Sequence, residues 1–128
     1  MVIGTVHSKS VGKTTLAVHM SGWLHLYDYE VVLVDADWQQ QSSAWLNGAA
    51  PQIETRVLRN PEGILAAVPK LCEEFQVVIV DGPAGLDDAA GAVLGVSDAV
   101  IIPCGPGAPE ILALKNGCKD NQRSAGNP

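Results

Sequence analysis

The sequence predicts an α/β fold: a doubly wound, mainly parallel sheet with helices on both faces. Three observations carry the prediction. Short apolar runs rich in Val and Ile recur at residues 2–6, 31–34, 77–80 and 99–102. They lack polar alternation, which is the pattern of strands covered on both faces. Helix-length stretches separate them, so strand and helix alternate along the chain. The first run leads, through residues 7–11, into Gly12, Lys13, Thr14 and Thr15 and then into a helical stretch.

That opening unit reads as a strand, a tight loop and a helix over about residues 13–27. The second run, 31–34, ends in Asp35, Ala36 and Asp37, and a short helix follows at 40–46. Residues 54–58 form a weaker strand candidate. Asn60 followed by Pro61 marks the start of a helix over 61–74, an N-cap side chain before a proline at the first helical position. The third main run, 77–80, ends in Asp81 and the segment Gly82, Pro83, Ala84, Gly85. Asp87 and Asp88 read as the cap of a helix over 88–96, ahead of the strand at 99–102 and a last helix at 109–122. Short connections between such elements imply right-handed crossovers.

The chain reads as one domain over residues 1–128, with no repeat, linker or low-complexity segment. Residues 124–128 read as the loop after a helix, where a further strand would begin. The C-terminal part of the domain is therefore expected to be missing, leaving the strand at 99–102 with an unprotected edge.

Composition narrows the function. A content of 47% hydrophobic and 17% charged residues suits a buried sheet and excludes a disordered tail protein. No apolar run approaches a membrane span, and no basic leader precedes one, so a cytoplasmic protein is expected. A net charge of −6 opposes non-specific DNA binding by the chain as a whole, which needs clustered cations. Only Lys115, Lys119 and Arg123 recur at helical spacing, which fits a solvated face. Cys72, Cys104 and Cys118 make no CxxC pair and read as small packing residues. His7, His19 and His25 lack metal-ligand spacing, and Trp23, Trp38 and Trp45 read as packing residues.

The chemistry lies in the loop and the acidic strand ends. Backbone N–H groups and the positive end of a helix dipole favour phosphate at residues 12–15. Lys13 is placed to reach the β- and γ-phosphates, and Thr14 to offer its hydroxyl to Mg²⁺. Ligands of open α/β sheets bind at the carboxyl ends of strands, so Asp35, Asp37 and Asp81 should converge on that loop. The strict pattern G-x-x-x-x-G-K-[ST] is not met, because His7 stands where its first glycine belongs.

The loop instead resembles that of the ParA/MinD family, the deviant P-loop K-G-G-V-G-K-T-T. Here the segment is Ser8, Lys9, Ser10, Val11, Gly12, Lys13, Thr14 and Thr15, and its last five positions match. The resemblance covers nearly all of this chain and about the first two-thirds of the family domain. It implies a P-loop ATPase that binds ATP and Mg²⁺ through residues 8–15. The family's signature lysine, which reaches across an ATP-bridged dimer, occupies the slot of Ser8; Lys9 lies one place on. Ser8 at that slot resembles a minority branch that includes ATPases distributing carboxysomes.

By the same resemblance, Asp35-Ala36-Asp37-Trp38-Gln39 is similar to the family's second acidic motif, with Trp38 where proline usually stands. Asp37 would orient the attacking water, with Lys13 as its catalytic companion on the phosphates. Asp35 would support the Mg²⁺ shell, and Asp81 would hold Mg²⁺ through water beside Thr14. Residues 82–85 would form a switch loop. The function implied is positioning of a plasmid, chromosome, division machinery or protein organelle, through an ATP-linked homodimer and a cargo adaptor. A longer form could also bind DNA. The alternatives left open are a metabolic or maturation P-loop enzyme of related fold, and a nucleotide-binding remnant without turnover.

Overall fold

The apolar runs assemble into one five-stranded, all-parallel sheet in the order β3-β2-β4-β1-β5. The computed structural model describes residues 1–6, 12–37, 39–83 and 88–103. In chain order the elements are β1 (Val2–Thr5), α1 (Lys13–Leu26), β2 (Val31–Asp35), α2 (Gln41–Ala49), β3 (Glu54–Val57), α3 (Pro61–Glu74), β4 (Val77–Asp81), α4 (Asp88–Val96) and β5 (Ala99–Ile101). The expected helix at 109–122 lies outside the described residues.

Both faces of the sheet are buried, which explains the unbroken apolar runs. On one face Val32, Val34, Val78 and Val80 pack with Ile64, Val68 and Val93 of α3 and α4. On the other, Val31, Leu33, Val77 and Ile79 pack with Ala17, Val18 and Leu46 of α1 and α2. Burying a side chain of this size contributes about 1.5–3 kcal/mol. Asn60 Oδ1 accepts from Gly63 N at 2.6 Å, so α3 starts on its expected cap. The helix runs on through Pro69, which lies on its exposed side.

Several boundaries differ from expectation. β2 and β4 each continue one residue further, taking Asp35 and Asp81 into the ladder as neighbours. β1 stops at Thr5, although Val6 is still buried. α2 runs on to Ala49, where its last turn is closed by Ala50 N donating to the Leu46 carbonyl at 2.7 Å.

Among the described residues, β3 and β5 are the edges of the sheet. β3 carries the exposed pair Arg56–Glu54 at 2.6 Å, charges of the kind that discourage pairing at an edge. β5 is tied down at its start, where Val2 N donates to Asp98 Oδ2 at 2.7 Å and Asp98 N to the Val2 carbonyl at 2.8 Å.

The strand order sets the site. β1 and β4 are adjacent, but the helix after β1 packs on one face of the sheet and the helix after β4 on the other. Such a divergence opens a crevice beyond the carboxyl ends of the two strands. Thr5 and Asp81 stand there as register partners, with Asp35 on the far side of Asp81.

Candidate functional site

α1 enters this crevice without a side-chain cap. Gly12, at its N-cap, has φ +93°, a left-handed conformation that costs glycine little. The Gly12 carbonyl accepts from Leu16 N at 2.9 Å and so opens the helix. No acidic residue lies in the first turn, so the positive end of the helix dipole is not offset from within α1. Lys13 is buried, with 3% of its surface exposed, and its ammonium charge acts on Asp81. Thr14 Oγ1 donates to Asp81 Oδ2 at 3.1 Å, joining the helix start to the end of β4.

Asp81 is fully buried. Burial, before any other cause, raises its pKa above the ordinary carboxylate value, and the nearby Asp35 pushes it the same way. Ser42, Lys13 and Thr14 act against that rise by favouring the charged form. The Thr5 hydroxyl lies 3.3 Å from the Val80 carbonyl and 3.5 Å from Asp81 Oδ1. Gly82 N donates to the Thr5 carbonyl at 2.8 Å, so the chain leaving β4 stays close to β1.

Asp35 is engaged differently. Its Oδ1 accepts from Asp37 N at 3.1 Å and its Oδ2 from Ser43 N at 3.0 Å. Both carboxylate oxygens therefore organise backbone, fixing the turn after β2 and the first turn of α2. Asp37, also buried, accepts from Gln39 N at 3.1 Å through Oδ1, and its carbonyl accepts from Gln40 N at 3.0 Å. Gln40 completes the turn in the left-handed region at φ +54°.

The structure thus joins Thr14 to Asp81 by a direct hydrogen bond and sets Lys13 and Asp35 beside them. Asp37 lies one turn beyond Asp35, and the Thr15 side chain is exposed on α1. Ser8, Lys9, Ser10 and Val11 lie outside the described residues, as do His7, Trp38, Ala84, Gly85 and Asp87. Thr5, Ser42 and Ser43 belong to the site without having been singled out in the sequence. Thr5 left a faint signal, a hydroxyl residue at the carboxyl end of an apolar run.

These residues fit a hard divalent cation. Thr14 and Asp81 supply oxygen donors, and the buried Ser42 Oγ has no hydrogen-bond partner among the described residues. Mg²⁺ keeps several waters and takes one or two carboxylates rather than an all-protein cage. No group of three or more His, Cys, Asp or Glu side chains gathers among the described residues.

The tryptophans correct an expectation. Trp23 and Trp45 are not core residues; they are 58% and 44% exposed. They flank an apolar groove of about 380 Å³ between α1 and α2, with Val18, Gly22, Leu46 and Ala49 in its wall. The physical reason is position: on these helices Ala17, Val18 and Leu46 take the sheet-facing sites, leaving the large rings outside. His19 meets Trp45 edge-on, with centroids 5.7 Å apart, and its Nδ1 lies 2.7 Å from the Thr15 carbonyl. Cys72 is half-buried against the core, as its expected packing role requires. No described helix is long and apolar enough to cross a membrane.

Comparison with known proteins agrees with this fold. The chain is 32% identical over 115 residues to a maintenance of carboxysome distribution protein A from Gloeobacter kilaueensis, covering 88% of this chain. It spans 52% of that relative's length. Its fold is similar to that of apo McdA from Cyanothece, with a TM-score of 0.79 at 16% identity over 98% of this chain and 66% of that one. A plasmid partition protein from Borrelia burgdorferi gives a TM-score of 0.81 at 15% identity, over 97% of this chain and 74% of that one. The family described as the CobQ/CobB/MinD/ParA nucleotide binding domain matches residues 5–124, and the chain belongs to it.

Proposed function

We propose that this chain is the nucleotide-binding part of a ParA-type ATPase that positions cellular cargo, working through Mg-ATP binding, hydrolysis and ATP-linked pairing. The observation that carries the reading is the junction of the uncapped α1 N-terminus with a buried acidic strand end, made by the 3.1 Å bond from Thr14 to Asp81. Support for a positioning role over a metabolic one comes from the relative named for carboxysome distribution. A neighbouring McdA structure from Cyanothece is an ATP complex.

In this reading residues 8–15 bind the phosphates. The first-turn N–H groups of α1 and the Lys13 ammonium bind the phosphate oxygens, and burial of Lys13 strengthens that attraction. Thr14 would hold Mg²⁺, with Asp81 acting through water, and Asp35 would support that site while anchoring the Asp37 turn. A cation bound there would supply neutralisation of charge on the phosphates. Asp37, held by the turn that Asp35 organises, orients the attacking water for in-line displacement. Positioning and charge neutralisation supply most of the catalysis of such reactions. Pairing across the nucleotide needs a cation or hydrogen bond from Ser8 or Lys9, and a cargo adaptor acts on the ATP-bound pair.

Single-turnover hydrolysis with Asp37→Ala tests the assignment. The variant should keep its ATP affinity and lose roughly 100-fold or more in rate, the scale of a misplaced reactant. Hydrolysis at the parent rate would overturn the role of Asp37. Sedimentation with and without Mg-ATP tests pairing, which an ATP-independent mass would contradict.

A further inference from the structure

Ser42 stands second in α2 and is fully buried, yet its Oγ has no hydrogen-bond partner among the described residues. Other serines here do find one: Ser21 Oγ, within α1, donates to the Ala17 carbonyl at 2.8 Å, and Ser97 Oγ, just past α4, to the Val93 carbonyl at 2.6 Å. Ser43, next to Ser42, donates through N to Asp35 and through Oγ to the Gln40 carbonyl at 3.3 Å. The bond from Ser43 to Asp35 holds the first turn of α2 against the end of β2, whose neighbour in the sheet is Asp81. Ser42 Oγ faces the Asp81 carboxylate and favours its charged form, but does not reach a proper hydrogen-bond geometry with it.

A buried hydroxyl without a partner is unfavourable, and alanine would fill nearly the same space without that penalty. The hydroxyl is therefore matched to a state of the site in which it has an acceptor. We propose that Ser42 is a positioning residue for the divalent cation: its hydroxyl donates to the oxygen shell of the ion held beside Thr14 and Asp81. The inference rests on the proposed nucleotide site. In the metal-free chain the hydroxyl has only its attraction to the Asp81 carboxylate; with the cation in place it gains a hydrogen bond. Ser42 thus favours the Mg²⁺-loaded form over the nucleotide bound alone.

The test is the Mg²⁺ dependence of ADP binding, followed by titration calorimetry with the full chain, the parent beside Ser42→Ala. One hydrogen bond to a charged centre corresponds to about a 10-fold change in affinity. The variant should need about 10-fold more Mg²⁺ for half-maximal ADP binding. Its ADP affinity with excess chelator should equal the parent's, and its metal-free melting temperature should be equal or higher. An unchanged Mg²⁺ dependence overturns the inference, as does a lower metal-free melting temperature, which would make the hydroxyl structural. A parent chain that binds no ADP at any Mg²⁺ concentration overturns the reading of the site itself, and this inference with it. An unchanged dependence in Ser42→Ala beside a normally binding parent overturns this inference alone.

Discussion

Gly82→Ala probes a close approach between the exit of β4 and the end of β1. A Cβ at Gly82 would sit inside contact distance of the Thr5 carbonyl oxygen and 2.9 Å from Val6 Cγ1. The first obstacle is backbone, so no side-chain rotation relieves it. The same carbonyl accepts the 2.8 Å bond from Gly82 N, and moving the strands apart would weaken that bond too. Overpacking costs about 1–3 kcal/mol, and a lost hydrogen bond about 1 kcal/mol. The expected loss is about 2–4 kcal/mol. With an m-value of about 2 kcal/mol/M, the urea midpoint should fall by about 1–2 M.

The displacement also acts on function, because Gly82 follows Asp81 directly and any shift moves the carboxylate away from Thr14. Affinity for Mg-nucleotide should therefore fall along with stability. Gly48→Ala is the matched control, since it lies exposed in α2 with nothing within 4 Å of the added Cβ. It should stabilise by about 0.5–1 kcal/mol, the difference in helix propensity. A Gly82→Ala chain within about 0.5 kcal/mol of the parent would refute the tight β1–β4 exit.

Asp81→Asn should separate stability from binding. The native-state pKa of Asp81 is raised, chiefly by burial, so the folded chain holds that proton more tightly than the unfolded one. Stability is then lost as pH rises from the ordinary carboxylate range through the raised value. The variant should melt higher than the parent near neutral pH, lose that advantage in acid, and bind Mg-nucleotide more weakly. Thermal melts across pH check this, and a variant less stable than the parent at neutral pH would contradict it.

Periodicity made the sheet legible: unbroken Val and Ile runs of strand length fit strands with both faces covered, and α3 and α4 on one side with α1 and α2 on the other cover them. The match at residues 11–15 and the two acidic strand ends pointed to the crevice where Thr14 meets Asp81, because strand ends and helix starts meet in this topology. Less legible was anything set by packing between distant elements. That Asp35 spends both oxygens on backbone donors depends on where α2 begins, which a short polar stretch did not specify. The exposure of Trp23 and Trp45 was equally hidden. Aromatic content argues for burial, whereas helix phase gave the inner sites to Ala17, Val18 and Leu46. Ser42 left no signal, since a serine near a helix start ordinarily reads as part of a cap.

The central claim is that α1 and the end of β4 form a phosphate and Mg²⁺ site in which Lys13 is the principal cation. Titration of Mg-ATP into the parent and Lys13→Ala, both confirmed folded by circular dichroism, tests it most directly. The account predicts saturable binding by the parent that disappears in the variant, because the ammonium buried beside Asp81 is lost. Equal affinity in the two chains would contradict it.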